Sequence, residues 1–359
     1  MGGSSLSRGA ETRDALLALA DAMDANAVDR LGEAILKERK ESGSDVIARV
    51  RNQISYYHRQ PPADFAQRLW PHLEADVLRG DDIPSSAELL CLLDRRKAQD
   101  FLCSDKVLSF KAPGLSHVLE ALDKYELEVP SERLLPVMEK LMALPDPLNQ
   151  FAALRCGLRR LAAVKHPRAK EWIDAAFAAG PPGPLAKGSV AAEKLKHRRQ
   201  VFHFAIAAHA LLRYEGITGD VVNCICDREE FEKLPEPRKH VAAAIDYKIS
   251  MDEGGLNYLY SEGATGLLDQ VEPAFRAVGA REHLEIVEAA NATWGERNPA
   301  KDFAKFTREK LEPTKEQRAR FKELDERESE LEERTPLISL LEIYAAKHAE
   351  DFKDLGRIK

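Results

Sequence analysis

Three carboxylates beside a pair of glycines are the residues of this sequence that come closest to a reactive cluster. Asp246 precedes the adjacent acids Asp252 and Glu253, which are followed directly by Gly254 and Gly255. Carboxylates held close together could bind a metal ion or perturb one another's pKa values, as they do in many active sites. One interpretation is therefore an enzyme with a diffuse carboxylate site near the double glycine.

The usual signatures of enzymes and cofactor sites are missing from the sequence. It contains no Gly-x-Ser-x-Gly, no His-Glu-x-x-His and no Cys-x-x-Cys. Residues 183–189 resemble a phosphate-binding loop, but the lysine precedes the second glycine, so the segment is interpreted as a linker. We therefore predict no catalytic residue, no cofactor and no metal ligand, and the enzyme is the less favoured alternative.

The cysteines and histidines also have the spacing of structural residues. Cys224 and Cys226 would point to different sides of a helix, and no second pair or nearby histidine completes four metal ligands. His197, His203 and His209 are six residues apart, which does not place them on one helical face. The five cysteines are an odd, irregularly spaced set, so a secreted disulfide framework is not expected.

Helices are the elements expected to position all of these residues. Apolar residues recur at helical spacing along most of the chain, for example at Leu134, Met138 and Leu141. No segment shows the sustained alternation that is typical of a strand. We predict an all-α protein with less than about 5% strand.

Segments rich in proline and glycine divide the helices into two predicted domains. The first residues, 1–10, are expected to be disordered, and residues 11–236 to form an irregular array of helical hairpins with a hinge at 180–190. A repeat-like packing of that array is an open alternative. The segment Pro235–Pro237 interrupts the helices, so residues 237–359 are predicted to form a second domain that folds independently.

The N-terminus has no basic segment followed by an apolar one, and no apolar run approaches the roughly 20 residues that a membrane helix needs. We therefore expect a soluble, cytoplasmic protein without a membrane partner.

The net charge of −7 is concentrated at one end of the chain. Formal charges sum to zero over residues 1–240, and residues 241–359 carry all seven. Within residues 251–290, eight acids stand against two arginines, so this part should repel nucleic acid. A basic cluster at residues 194–199 would attract phosphate and supports an alternative in which the protein binds nucleic acid.

A series of short motifs in the acidic third gives a family resemblance. They are Asp246-Tyr247, the run from Glu253 to Gly263, Phe275 to Ala280, Ala289-Ala290, Leu324-Asp325 and Tyr344. In their order and spacing these motifs resemble the DNA-mimic protein 19-like family, which is helical. Glu253, Leu256 and Ser261 depart from the family, which usually has Asn, Phe and Asn there.

The resemblance implies a domain that binds a protein and is not an enzyme. The family takes its name from a member that presents carboxylates where a DNA-binding protein expects phosphates. A physical explanation of the same motif is that Gly254 and Gly255 permit positive φ between helices, while Tyr258 and Tyr260 pack in the core.

Together, the charge pattern and the resemblance predict a regulatory, inhibitory or immunity-like protein that docks through its acidic C-terminal domain onto a basic protein surface. The acids Glu282, Glu285 and Glu288 are expected to lie on or beside the exposed face of a helix that buries Leu284, Val287 and Trp294. A nucleic-acid partner is not favoured, and the oligomeric state is left open. The predicted contact residues are Asp252, Glu253, Gly254, Gly255, Asn257, Tyr258, Tyr260, Glu262, Glu282, Glu285 and Glu288.

Overall fold

The structure, a computed structural model, describes residues 5–37, 42–80, 83–143, 151–183, 185, 189–261, 266–301, 312–353 and 355. These residues form helices and their connections, and no strand occurs among them, which confirms the predicted all-α class. No helix in these ranges is long and apolar enough to cross a lipid bilayer.

The chain divides into two compact units, residues 1–157 and residues 158–359. The helices of the first unit are α1 (Ser5–Ala22), α2 (Val28–Lys37), α3 (Ser42–Ser55), α4 (Ala63–Arg79), α5 (Ile83–Leu93), α6 (Arg95–Leu102), α7 (Asp105–Leu108), α8 (Ala112–Lys124) and α9 (Ser131–Met142). Helix α10 (Phe151–Ala163) spans the border between the units. Helix α1 thus begins inside the segment that the sequence predicted to be disordered.

Helices of the first unit pack mainly against helices that are near them in the chain. Helix α2 packs against α3 and α4, both α3 and α4 pack against α5, and α5 packs against α6 and α8. The core includes Phe65, Leu69 and Leu73 from α4 and Leu89 and Leu90 from α5, all of them buried. Periodic apolar positions on short helices thus produce the predicted array. Its repeat-like character stays a prediction.

The second unit contains the acidic third of the chain and, before it, the helices between residues 158 and 240. Its further helices are α11 (Pro167–Ala179), α12 (Ala191–Tyr214), α13 (Arg228–Lys233), α14 (Glu236–Ser261), α15 (Leu268–Val278), α16 (Arg281–Thr293), α17 (Lys315–Arg334), α18 (Leu337–Lys347) and α19 (Ala349–Phe352). Helix α14 is central, because it packs against α15, α17 and α18, while α16 packs against both α15 and α17. Tyr247 of α14 and Phe275 of α15 meet edge to face in the core, with their ring centroids 5.0 Å apart.

The second unit begins well before the predicted domain border at residue 236. Helix α12 packs against α18, and the buried side chain of His209 lies 2.8 Å from that of Glu342. Helices on both sides of residue 236 therefore share one core. Independent folding of residues 237–359 stays a prediction, which fragments of the chain can test.

The predicted hinge at 180–190 connects α11 and α12, and residues 184 and 186–188 of it lie outside the described residues. The two helices pack against each other, with Phe177 and Phe204 in edge contact at 5.5 Å between ring centroids. Hinge motion at this segment stays a prediction.

Candidate functional site

Helix α14 is broken at its double glycine. Gly254 has φ −168° and ψ 20°, and Gly255 has φ 67° and ψ −160°, so neither residue has helical backbone angles. Side chains rarely allow the positive φ of Gly255, whereas the extended φ of Gly254 is open to any residue. The positive φ expected of the double glycine is confirmed at Gly255.

The second half of α14, which restarts after the break, is capped by a side chain from another helix. The backbone N–H of Leu256 donates a hydrogen bond of 2.9 Å to Oδ1 of Asp325 on α17. A Cβ atom at Gly255 would lie 2.7 Å from Oδ2 of the same carboxylate. Gly255 is thus required twice, by its backbone angle and by the close approach of Asp325.

A cleft of about 430 Å³ opens between α14 and α17 beside this break. Its lining combines four carboxylates, one ammonium group, the two glycines and two other side chains: Asp252, Asp325, Glu328, Glu332, Lys248, Gly254, Gly255, Met251 and Ser329. Lys248 pairs with Asp252 and lies 4.0 Å from Oε2 of Glu332. Because four acids meet one base, the cleft has a negative charge that favours cations.

Glu328 of the cleft contacts a buried histidine, His283, which does not itself line the opening; we call His283, Glu328 and Glu332 together the floor of the cleft. Nδ1 of His283 on α16 lies 2.9 Å from Oε1 of Glu328, and Nε2 lies 3.1 Å from the carbonyl oxygen of Thr335. Burial lowers the pKa of His283, but the hydrogen bond and charge of Glu328, assisted by Glu332, outweigh burial and raise this pKa. The raised pKa favours an imidazolium that donates through both ring nitrogens.

Glu332 completes the group of side chains at the floor. It lies one helical turn after Glu328 on α17, and its Oε1 accepts a hydrogen bond of 2.9 Å from the backbone N–H of Leu337, the first residue of α18. Burial raises the pKa of Glu332, although that hydrogen bond and Lys248 oppose the increase. One ligand atom from each of His283, Glu328 and Glu332 lies within 4.8 Å of the others, so these residues could hold a metal ion.

The sequence prediction missed this group and instead considered three carboxylates near the double glycine. Asp246 is buried, with 3% of its surface exposed, whereas Asp252 and Glu253 are exposed. Three of the four acids that line the cleft, Asp325, Glu328 and Glu332, come from α17, and Asp252 is the one from α14. The spacing of Glu328 and Glu332 is a signal that could have been found, since residues four apart share a helical face.

The predicted contact residues of the motif divide between the surface and the core. Asp252, Glu253 and Asn257 are exposed, and Tyr258 is half-buried. Gly254 and Gly255 line the cleft. Glu262 lies outside the described residues.

Tyr260 belongs to the core. It is 7% exposed, its hydroxyl donates a hydrogen bond of 2.6 Å to Oδ1 of Asn291, and its ring stacks on Phe321 with 5.2 Å between centroids. Both the ring and the hydroxyl of Tyr260 are therefore used in holding α14 against α16 and α17, which is the packing role the sequence suggested for it.

The three acids predicted on α16 are exposed, but two of them have basic partners. Glu282 pairs with Arg334, and Oε1 of Glu288 lies 2.6 Å from Nη2 of Arg276. Glu285 is exposed, and no ion pair involves it within the described residues. The patch therefore has less uncompensated charge than the sequence indicated, because arginines from α15 and α17 lie beside it.

The other face of α16 is buried largely as predicted. Val287 and Trp294 are buried, while Leu284 is only partly buried. The full buried face contains His283, Ile286, Val287, Ala290 and Asn291. The helix thus places a titratable histidine, which the apolar pattern did not indicate, in the core.

Helix α17 carries a second row of acids, which we name the acidic stripe: Glu326, Glu330 and Glu333. All three are exposed, and their spacing of four and three residues places them on one face over about 10 Å of helix. Among the residues that the structure describes, none of the three forms an ion pair. The acidic stripe is therefore a row of carboxylates that no ion pair neutralises within the described residues.

The basic cluster lies on the first turns of α12. Lys194, Lys196 and Arg198 are exposed there, and His197 and Arg199 are half-buried. The guanidinium of Arg198 lies 5.6 Å from the ring centroid of Phe202. This cluster belongs to the same unit as the acidic third.

Comparison with known proteins identifies one family. Residues 232–348, in the C-terminal third of the chain, match the family described as DMP19-like protein, which confirms the resemblance drawn from the sequence motifs. The match spans α14 to α18, including the double glycine, Asp325 and the floor of the cleft. No curated protein and no solved structure gives a match.

Proposed function

We propose that the protein is a non-enzymatic binding protein that docks through the acidic surface of its C-terminal domain onto a basic surface of a protein partner. Its role would be regulatory, inhibitory or immunity-like. The observation that carries the proposal is the acidic stripe, in which three exposed glutamates share one helical face without an ion pair in the described residues.

Docking of this kind depends on carboxylates whose charge is not neutralised by an ion pair. A carboxylate paired with an arginine contributes little to the field at a distance, as expected for Glu282 and Glu288. Unpaired carboxylates project their field beyond the surface, steer an oppositely charged partner and speed its association. The acidic stripe and Glu285 are therefore the better candidates for first contact.

The size of the acidic stripe suggests which partner it fits. One strand of B-DNA carries a phosphate for about every 3.4 Å of helix axis, so 10 Å corresponds to roughly three phosphates. Three glutamates over that length resemble a short piece of one strand and not a whole duplex. The partner we propose is a protein with a compact basic patch, and the DMP19-like match is compatible with this.

The proposal can be tested with charge reversals once a partner has been captured with the full chain. We expect Glu326→Lys, Glu330→Lys and Glu333→Lys, combined in one variant, to slow association at least about tenfold at low salt. The effect should decrease as salt increases, because screening acts over about 10 Å at 0.1 M.

A matched control places the same change of net charge on the first unit, at the exposed residues Asp100, Glu120 and Glu132. A variant with Glu282, Glu285 and Glu288 reversed should have an intermediate effect, since arginines already neutralise two of those acids. An unchanged association rate for the reversed stripe would overturn the proposal. Binding to DNA or RNA that disappears when Lys194, Lys196 and Arg198 are replaced would favour the nucleic-acid alternative.

A further inference from the structure

The floor of the cleft has the residue types and geometry of a metal site. His283 supplies a ring nitrogen, Glu328 and Glu332 supply carboxylate oxygens, and one ligand atom of each lies within 4.8 Å of the others. In a tetrahedral zinc site, ligand atoms about 2.1 Å from the ion are roughly 3.4 Å apart. Small side-chain rotations would therefore close the group around an ion.

A second observation is independent of the clustering. Glu328 is 3% exposed, and its Oε2 makes no hydrogen bond among the described residues. The buried hydroxyl of Tyr247 interacts with this carboxylate but likewise makes no hydrogen bond of good geometry within the described ranges. The cost of burying the carboxylate oxygen is therefore not fully offset, and a cation could offset it. The same carboxylate lines the cleft, so an ion that entered from solvent would reach it.

The surroundings of His283 match those of a metal-binding histidine. Its Nε2 lies 3.1 Å from the carbonyl oxygen of Thr335, and such an outer partner fixes the orientation of a ring that binds a metal through its other nitrogen. Nδ1 lies 2.9 Å from Oε1 of Glu328. An ion between these two atoms would take the place of the proton that they now share.

We infer that His283, Glu328 and Glu332 bind one divalent transition-metal ion, for which Zn²⁺ is the best-fitting candidate. Imidazole nitrogen favours zinc over magnesium and calcium, and three protein ligands leave a fourth position open toward the cleft. The two carboxylates balance the charge of the ion. The bound ion would connect α16 to α17 beside the break in α14, and it does not depend on the proposed docking function.

The test uses the full chain after chelator treatment. We expect calorimetric titration with ZnCl₂ to give one ion per chain and the melting temperature to increase, because an ion that binds only the folded state stabilises it. Glu332→Gln should weaken binding more than about 100-fold, since losing even an outer partner costs about 10- to 100-fold. The glutamine keeps an oxygen that can accept the hydrogen bond from Leu337.

Glu316→Gln is the matched control, because Glu316 also lies on α17, is exposed, and neither lines the cleft nor belongs to the acidic stripe. It should bind zinc as the unchanged protein does. If Glu332→Gln does not fold, Glu332→Asp gives the same test, because it keeps the carboxylate but shortens its reach.

Cobalt substitution identifies the ligand atoms directly. The cysteine pair is the other set of soft ligands in this unit, and burial raises the pKa of Cys224 to about 12 and that of Cys226 to about 11, which disfavours the thiolates that bind metals. We expect the absorption spectrum of the Co²⁺-loaded protein to show the bands typical of nitrogen and oxygen ligands, without a band from charge transfer between sulfur and the metal. A sulfur band, no stoichiometric zinc binding, or equal binding by Glu332→Gln would each overturn the inference.

Discussion

Asp325 on α17 accepts a hydrogen bond of 2.9 Å from the backbone N–H of Leu256, at the point where α14 restarts after its double glycine. The two residues are 69 positions apart in the chain. Two separate parts of the family motif, the double glycine and the Leu-Asp pair, therefore form one interaction. Gly255 permits the turn and leaves room for the carboxylate, and the carboxylate caps the new helix.

The first prediction concerns Gly255→Ala. The backbone angles of Gly255, φ 67° and ψ −160°, lie in a region essentially restricted to glycine and cost another residue about 1–3 kcal/mol. Crowding against Asp325 would also weaken the cap, which is worth about 1 kcal/mol. We therefore expect a loss of about 3 kcal/mol in the free energy of unfolding, measured by urea denaturation.

Gly279→Ala is the control for this prediction. Gly279 also has a positive φ, +82°, but a Cβ there would meet nothing within 4 Å. The Gly279→Ala variant should therefore lose only about 1 kcal/mol in the free energy of unfolding, because alanine disfavours the left-handed backbone. Equal losses of stability for the two variants would contradict the prediction, since Gly255 has both the more restricted backbone and the contact with Asp325.

The second prediction separates the acceptor of the cap from its charge. Asp325→Ala removes the acceptor for the Leu256 N–H and should cost about 1 kcal/mol of stability. Asp325→Asn keeps an oxygen in the same place and should cost less, because asparagine caps helices about as well as aspartate. The melting temperatures of both variants test this prediction. Equal melting temperatures for Asp325→Asn and Asp325→Ala would contradict it, because they would show that the oxygen acceptor does not stabilise the helix.

Local features of the fold could be predicted from the sequence because they depend on neighbouring residues. The positive φ of Gly279 at the end of α15, +82°, is the conformation that a glycine directly after a periodic apolar segment indicates. The exposed position of Glu285 and the buried position of Val287 follow from helical periodicity. These inferences need only one helix at a time.

The floor of the cleft could not be predicted in this way. His283 and Glu328 are 45 residues apart, and His209 and Glu342 are 133 residues apart. No periodic pattern connects such pairs, because the contact depends on how separate helices pack. The neutralisation of Glu282 by Arg334 escaped prediction for the same reason.

The third prediction concerns the domain border. A fragment of residues 158–359 contains the whole second unit and should unfold cooperatively. A fragment of residues 237–359 lacks α12, so it exposes the face of α18 that α12 covers and removes the hydrogen bond between His209 and Glu342. We expect the shorter fragment to melt at a lower temperature by circular dichroism. If the two fragments melt alike, the border at residue 236 is correct.

The fourth prediction concerns the pH dependence of stability. His240 of α14 contacts Tyr344 of α18, with Nδ1 2.8 Å from the tyrosine hydroxyl. Burial lowers the pKa of His240, His348 and Lys239 lower it further, and Glu236 opposes them. The unfolded chain, in which this pKa is near its ordinary value of 6.5, therefore binds the proton first. Stability from the neutral form is present above about pH 6.5 and is lost as the pH falls through the lower folded pKa.

Replacing His240 by glutamine tests this expectation, because glutamine keeps hydrogen-bonding groups beside Tyr344 but does not titrate in this range. The free energy of unfolding, measured by urea between pH 5 and pH 8, should fall less steeply on acidification than in the unchanged protein. Burial and Arg199 also lower the pKa of His203. In a variant with both His240 and His203 replaced, the free energy of unfolding should therefore depend on pH even less. His117→Gln is the control, since its side chain is 43% exposed on α8. If the free energy of unfolding of the double variant falls on acidification as steeply as that of the unchanged protein, neither histidine contributes to the loss of stability in acid.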